Sequence, residues 1–164
     1  MKRIVLLIVC VVLLVLDNTI LPYYSYEYIF PSLLFTFAIG FSIINGKKEA
    51  VIIGVLSGFL QDVFFFQGFG INMFLNMLLC YLVAKIGEGI YKENRIVPVI
   101  TCLFISVIKV IGIILLLKLF SQSIRTTDAF ISAVLNSVVL VFIYKIILNY
   151  SKKYFLKDTW RFRW

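Results

Sequence analysis

The chain of 164 residues has no histidine, only three cysteines and only eight acidic residues. Without histidine, the commonest general base and the commonest metal ligand are missing, and so is every serine–histidine or cysteine–histidine nucleophile. The cysteines, Cys10, Cys80 and Cys102, stand singly inside apolar runs and form no C-x-x-C pair, so we expect buried free thiols rather than a zinc or redox centre. These absences favour a protein that is not an enzyme and that binds no metal or cofactor.

Apolar residues are what the sequence has in excess. They make up 62% of the chain against 15% charged residues, and the mean hydropathy is +1.04. Ordinary soluble domains are about half apolar and about a quarter charged. Because so few polar groups cannot cover a water-facing surface, the composition predicts a membrane protein.

Six apolar runs predict an all-α, polytopic membrane protein with six transmembrane helices. The runs are Ile4–Leu21, Ser32–Asn45, Ala50–Phe66, Ile71–Ala84, Val97–Leu117 and Ala129–Asn149. A spanning helix needs about 20 residues, and the second and fourth runs are shorter. Five spans, or a re-entrant fourth segment, is therefore the alternative. Residues 1–150 form the predicted helical bundle, and residues 151–164 form a basic, aromatic tail.

The lysines and arginines lie mainly on one side of this arrangement. With the N-terminus placed in the cytoplasm, all sixteen bases except Lys109, Lys118 and Arg125 fall on the cytoplasmic side. Since cytoplasmic loops of membrane proteins collect lysine and arginine, we expect both termini in the cytoplasm and an uncleaved first helix. The same asymmetry explains the net charge of +8 without a nucleic acid, and the tail is predicted to contact anionic lipid.

Ionisable and amide side chains inside the predicted spans lie near one depth. At 1.5 Å per residue, Asp17, Asp62 and Lys109 each come roughly 18–20 Å from the inner boundary. Asn136 falls near this level and Asn76 somewhat deeper. Such groups are costly in a bilayer, so we predict a polar layer that is either a substrate or proton site or a buried network joining helices. We also predict an ion pair between Lys109 and either Asp62 or Asp17.

The third run carries small residues at helical spacing. Gly54, Gly58 and Asp62 recur every four residues, with Gln61 beside them. Because Gly-x-x-x-Gly lets a second backbone approach closely, we interpret this stripe as either an internal helix-packing face or a face for a partner. The fifth run offers a matching face, made of Cys102, Ser106, Lys109 and Gly112.

The region from Gly54 to Leu82 resembles the family of the rod shape-determining protein MreD. The resemblance rests on the run Gly58–Phe64 with its Asp62, and on an outer turn with Gly68, Gly70 and Asn72. It implies a non-enzymatic scaffold in the bacterial inner membrane, within the cell-elongation machinery that serves peptidoglycan synthesis.

The resemblance also implies partners and an alternative function. The family associates with the bitopic protein MreC, which connects cytoplasmic MreB filaments to the glycan polymerase RodA and a class B penicillin-binding protein. The family's fold is similar to that of the substrate-binding membrane subunits of energy-coupling-factor vitamin transporters. A vitamin-binding subunit is therefore the alternative.

Overall fold

The computed structural model describes residues 2–24, 30–64, 70–89, 96–119 and 126–155, and side chains within 3–23, 30–64, 70–89, 96–116 and 130–155. These ranges form six helices and no strands. The helices are α1 (Lys2–Tyr24), α2 (Leu33–Asn45), α3 (Lys47–Phe64), α4 (Ile71–Gly87), α5 (Ile96–Leu119) and α6 (Thr126–Tyr154). Each predicted apolar run corresponds to one helix, which confirms the all-α prediction with six helical segments.

The six helices differ in length. By length and composition, α1, α5 and α6 are each able to cross a membrane, and α2 and α4 are shorter apolar helices. α3 has 18 residues, of which four are charged: Lys47, Lys48, Glu49 and Asp62. α2 has 13 residues, or about 20 Å, whereas the hydrocarbon core is about 30 Å thick. One end of α2 therefore lies inside the bilayer, where its backbone groups need protein partners.

α2 is the central helix of the bundle. It packs against all five other helices, and every residue from Leu34 to Ile44 is buried. A helix that is apolar on all sides is typical of such a position. At its end, Asn45 Nδ2 donates to Ser151 Oγ of α6 at 2.8 Å. The chain then turns into α3 at Gly46, whose φ of +84° favours glycine.

The ends of α2 and α4 and the start of α3 meet at one end of the bundle. Lys47 Nζ at the start of α3 lies 2.9 Å from Glu88 Oε2, just after α4. The hydrogen bond to this carboxylate raises the pKa of Lys47 above its ordinary value, so Lys47 is charged at neutral pH. Most of the described bases lie at this end, which is the one predicted to face the cytoplasm.

α6 continues beyond the predicted bundle boundary. It ends at Tyr154, and the ring of Phe155 packs edge-on against Phe41 of α2 at 5.1 Å between centroids. Ser151 is fully buried. Ser151 and Phe155 of the predicted tail thus pack against the bundle, whereas Lys152 and Lys153 are exposed. Residues 156–164 lie outside the described part of the chain. The three cysteines are free and buried, as predicted.

Candidate functional site

α2 begins inside the bundle, and an aspartate of α1 caps it. Ser32 is the N-cap residue, and its Oγ accepts from the backbone N–H of Phe35 at 3.3 Å. Asp17 accepts from the N–H groups of Leu33 at 2.8 Å and Leu34 at 3.1 Å. The first N–H groups of a helix have no partner within the helix, and its N-terminus favours negative charge. Asp17, which is 2% exposed, supplies both the acceptors and the charge.

α4 is capped in the same way by Asp62 of the preceding helix. The N–H groups of Gly70, Asn72 and Met73 donate to its carboxylate at 3.0, 3.0 and 2.9 Å. Gly70, the N-cap residue, has φ +99° and offers no side-chain acceptor. Asp62 therefore replaces the missing cap and fixes the end of the predicted outer turn. Gly68, also predicted for this turn, lies outside the described residues.

The glycine stripe of α3 packs against the backbone of α4. A Cβ at Gly54 would lie 2.8 Å from the carbonyl oxygen of Asn76, and one at Gly58 would lie 2.5 Å from that of Asn72. Only glycine lets the two backbones come so close. Gly54, Gly58 and Asp62 thus form one seam between α3 and α4, and this seam is covered by the chain's own helix.

The fifth helix does not supply the matching face that the sequence predicted. α3 packs most extensively against α4, and α5 packs mainly against α4 and α6. Gly112 of α5 lies against the side chain of Leu75 in α4, not against the stripe. Each face has the predicted helical spacing, but the predicted pairing of the two faces is wrong. α4 is nearer to α3 in sequence, and it packs against the glycine stripe in place of α5.

Gln61 is the centre of a polar network between the helices. Its Nε2 donates to Ser32 Oγ at 2.8 Å, and its Oε1 accepts from Asn76 Nδ2 and from Lys109 Nζ, both at 2.9 Å. Asn76 Nδ2 also lies 3.4 Å from Ser57 Oγ. Helices α3, α4 and α5 and the start of α2 therefore meet at one amide.

Two further side chains connect the remaining helices to this network at Ser32. Its Oγ lies 3.2 Å from Asp17 Oδ2, and its backbone N–H donates to Asn136 Oδ1 of α6 at 2.8 Å. The structure thus brings together four predicted members of the polar layer, Asp17, Asn76, Lys109 and Asn136. Every one of the six helices contributes at least one contact.

Lys109 does not form the predicted ion pair. Within the described part of the chain, no carboxylate oxygen lies within 4 Å of its Nζ. The ammonium instead donates to Gln61 and lies 4.0 Å from the centroid of the Phe35 ring, a cation–π contact. The prediction failed because the carboxylates of Asp17 and Asp62 accept hydrogen bonds from helix N-termini, where several backbone donors compete with one lysine.

The charges of Lys109 and Asp17 are connected indirectly. Lys109 donates to Gln61, Gln61 donates to Ser32, and the Ser32 hydroxyl is placed to donate to Asp17. All three donors point the same way, so each bond polarises the next and strengthens it. The chain runs from the positive to the negative group and joins α5, α3, α2 and α1.

Sequence reasoning missed Ser32 and the central position of Gln61. The signal for Ser32 was available, since a serine before a short apolar run is a typical N-cap. A second signal was the order of elements: twice, in α1–α2 and in α3–α4, an aspartate in the second half of one helix precedes a helix that has no acidic residue in its first turn. The described residues contain no group of three or more histidine, cysteine, aspartate or glutamate side chains that could hold a metal.

A comparison with known protein families gives a match over most of the chain. The family model described as rod shape-determining protein MreD matches residues 1–154 of the chain. This range includes both capped helices and every member of the network. No curated protein and no solved structure matches the chain.

Proposed function

Because the chain belongs to the family of the rod shape-determining protein MreD, we propose that it is a non-enzymatic scaffold subunit of the bacterial cell-elongation machinery. The family membership means that the protein takes part in rod shape determination. We propose further that it lies in the inner membrane with both termini in the cytoplasm. There it binds a bitopic MreC-like protein and helps to couple MreB filaments to RodA and a class B penicillin-binding protein.

The network around Gln61 is the observation that best supports a scaffold. It ties all six helices together at one level, and its members Asp17, Gln61, Asn76, Lys109 and Asn136 are each less than 10% exposed. Polar side chains that bond to one another in a bilayer hold helices together. A bundle fixed in this way keeps a constant shape, and constant shape is what a subunit that positions its partners requires.

The outer end of the α3–α4 hairpin is the surface that we propose for the bitopic partner. The glycine stripe is occupied by α4, so it leaves no backbone face for a second protein. Beside it the hairpin exposes large side chains on both helices, and aromatic residues and methionine are enriched at protein interfaces. They are Phe59, Val63, Phe64, Met73 and Phe74. Asp62 accepts hydrogen bonds from the start of α4, which holds the two exposed rows in a fixed relative position.

Co-purification tests this proposal. The tagged chain is purified in mild detergent together with an MreC-like partner, and the bound partner is measured by mass spectrometry. Phe74→Ala should lower the amount of partner several-fold. Phe104→Ala is the matched control, because Phe104 is 63% exposed on α5 while Phe74 is 52% exposed on α4. Equal retention by both variants would reject the hairpin surface, and no bitopic partner on the unaltered chain would reject the scaffold.

Two further experiments test the other parts of the proposal. Reporter fusions at each terminus should place both termini in the cytoplasm. The reason is that the basic end of the bundle includes the connection between α2 and α3 and the end of α6. A deletion of residues 156–164 should weaken binding to anionic vesicles if the tail contacts lipid. The vitamin-transporter alternative predicts that a vitamin raises the melting temperature of the purified chain, because a ligand of the folded state stabilises it.

A further inference from the structure

We draw no further inference here: the strongest candidate, the side-chain cluster of Gln61, Asn76 and Lys109 at the centre of the bundle, where Oδ1 of the buried Asn76 has no hydrogen-bond partner within the described part of the chain, belongs to the polar network already described, and that oxygen is closed to solvent, so nothing in the structure shows a ligand that could reach it.

Discussion

Replacing Gly58 by alanine should separate α3 from α4. The added Cβ would lie 2.5 Å from the carbonyl oxygen of Asn72 and 2.6 Å from the backbone nitrogen of Met73, whereas ordinary contact begins at 3.4 Å. Backbone atoms inside a helix cannot turn away as the end of a side chain can. The α-carbon of Met73 would lie closer still to the added Cβ. The two helices must therefore move apart by at least about 0.9 Å, the difference between 2.5 Å and ordinary contact.

The cost of this movement has two parts. Overpacking of a buried contact costs about 1–3 kcal/mol, and a gap of this size weakens many atom pairs along the seam. The same movement stretches the bonds from Asp62 to α4, which are now 2.9–3.0 Å long. Losing one hydrogen bond to a charged group adds about 1.5–3 kcal/mol. We therefore expect Gly58→Ala to lower the free energy of unfolding by about 4 kcal/mol.

A thermal melting assay in detergent measures this loss. For a chain of this size, 1 kcal/mol corresponds to about 2–4 °C, so the melting temperature should fall by at least about 8 °C. Gly112→Ala is the control, because its Cβ would meet only the flexible end of Leu75 at 2.9 Å. It should stay within about 4 °C of the unaltered chain. A Gly58→Ala variant that melts like the unaltered chain, or no earlier than Gly112→Ala, would refute the reasoning.

Three other changes test the capping, the network and the surface ion pair. Asp62→Ala leaves three N–H groups at the start of α4 without their acceptor. It should therefore lower the melting temperature at least as much as Gly58→Ala, and a smaller effect would contradict the capping role. Gln61→Leu should cost about 1.5–3 kcal/mol because it leaves the buried Lys109 Nζ without its hydrogen-bond acceptor. Adding Lys109→Met should recover part of that loss in a double-mutant cycle, and strictly additive losses would contradict the contact. Since the pKa of Lys47 is raised by Glu88, their pair stabilises the fold below about pH 10.5 and is lost as the pH rises through the raised pKa. Glu88→Gln should therefore melt slightly earlier than the unaltered chain at neutral pH and equally at high pH, and a difference that persists there would contradict the pair.

The helices and the level of the polar layer could be predicted because each depends on residues close in sequence. Apolar runs mark a helix through its own composition, and a fixed rise per residue gives the depth of a side chain along its helix. Asp17, Asn76, Lys109 and Asn136 were placed together by this counting, and the structure joins them through hydrogen bonds. The predicted depth of Asp62 was also near theirs, but its carboxylate accepts hydrogen bonds from the start of α4.

The hydrogen-bond partners could not be predicted in the same way. Depth along a helix says nothing about the direction in which a side chain points around it, and that direction decides whether a carboxylate meets a lysine or a helix N-terminus. The predicted ion pair followed from the charges of the side chains alone. The backbone donors at the starts of α2 and α4, which have no partner within their own helices, compete with Lys109 for both carboxylates.

The last turn of α3 links the interior of the bundle to its exposed surface. Successive residues in a helix point about 100° apart, so Gln61 faces the start of α2 while Asp62 faces the start of α4. Both short helices thus depend on two neighbouring residues of one turn. The same turn continues into Val63 and Phe64, which are 43% and 55% exposed. A displacement of this turn would disturb the network, the cap of α4 and the proposed partner surface together. A partner bound at the hairpin, as proposed, would therefore be held in a fixed position relative to the other four helices.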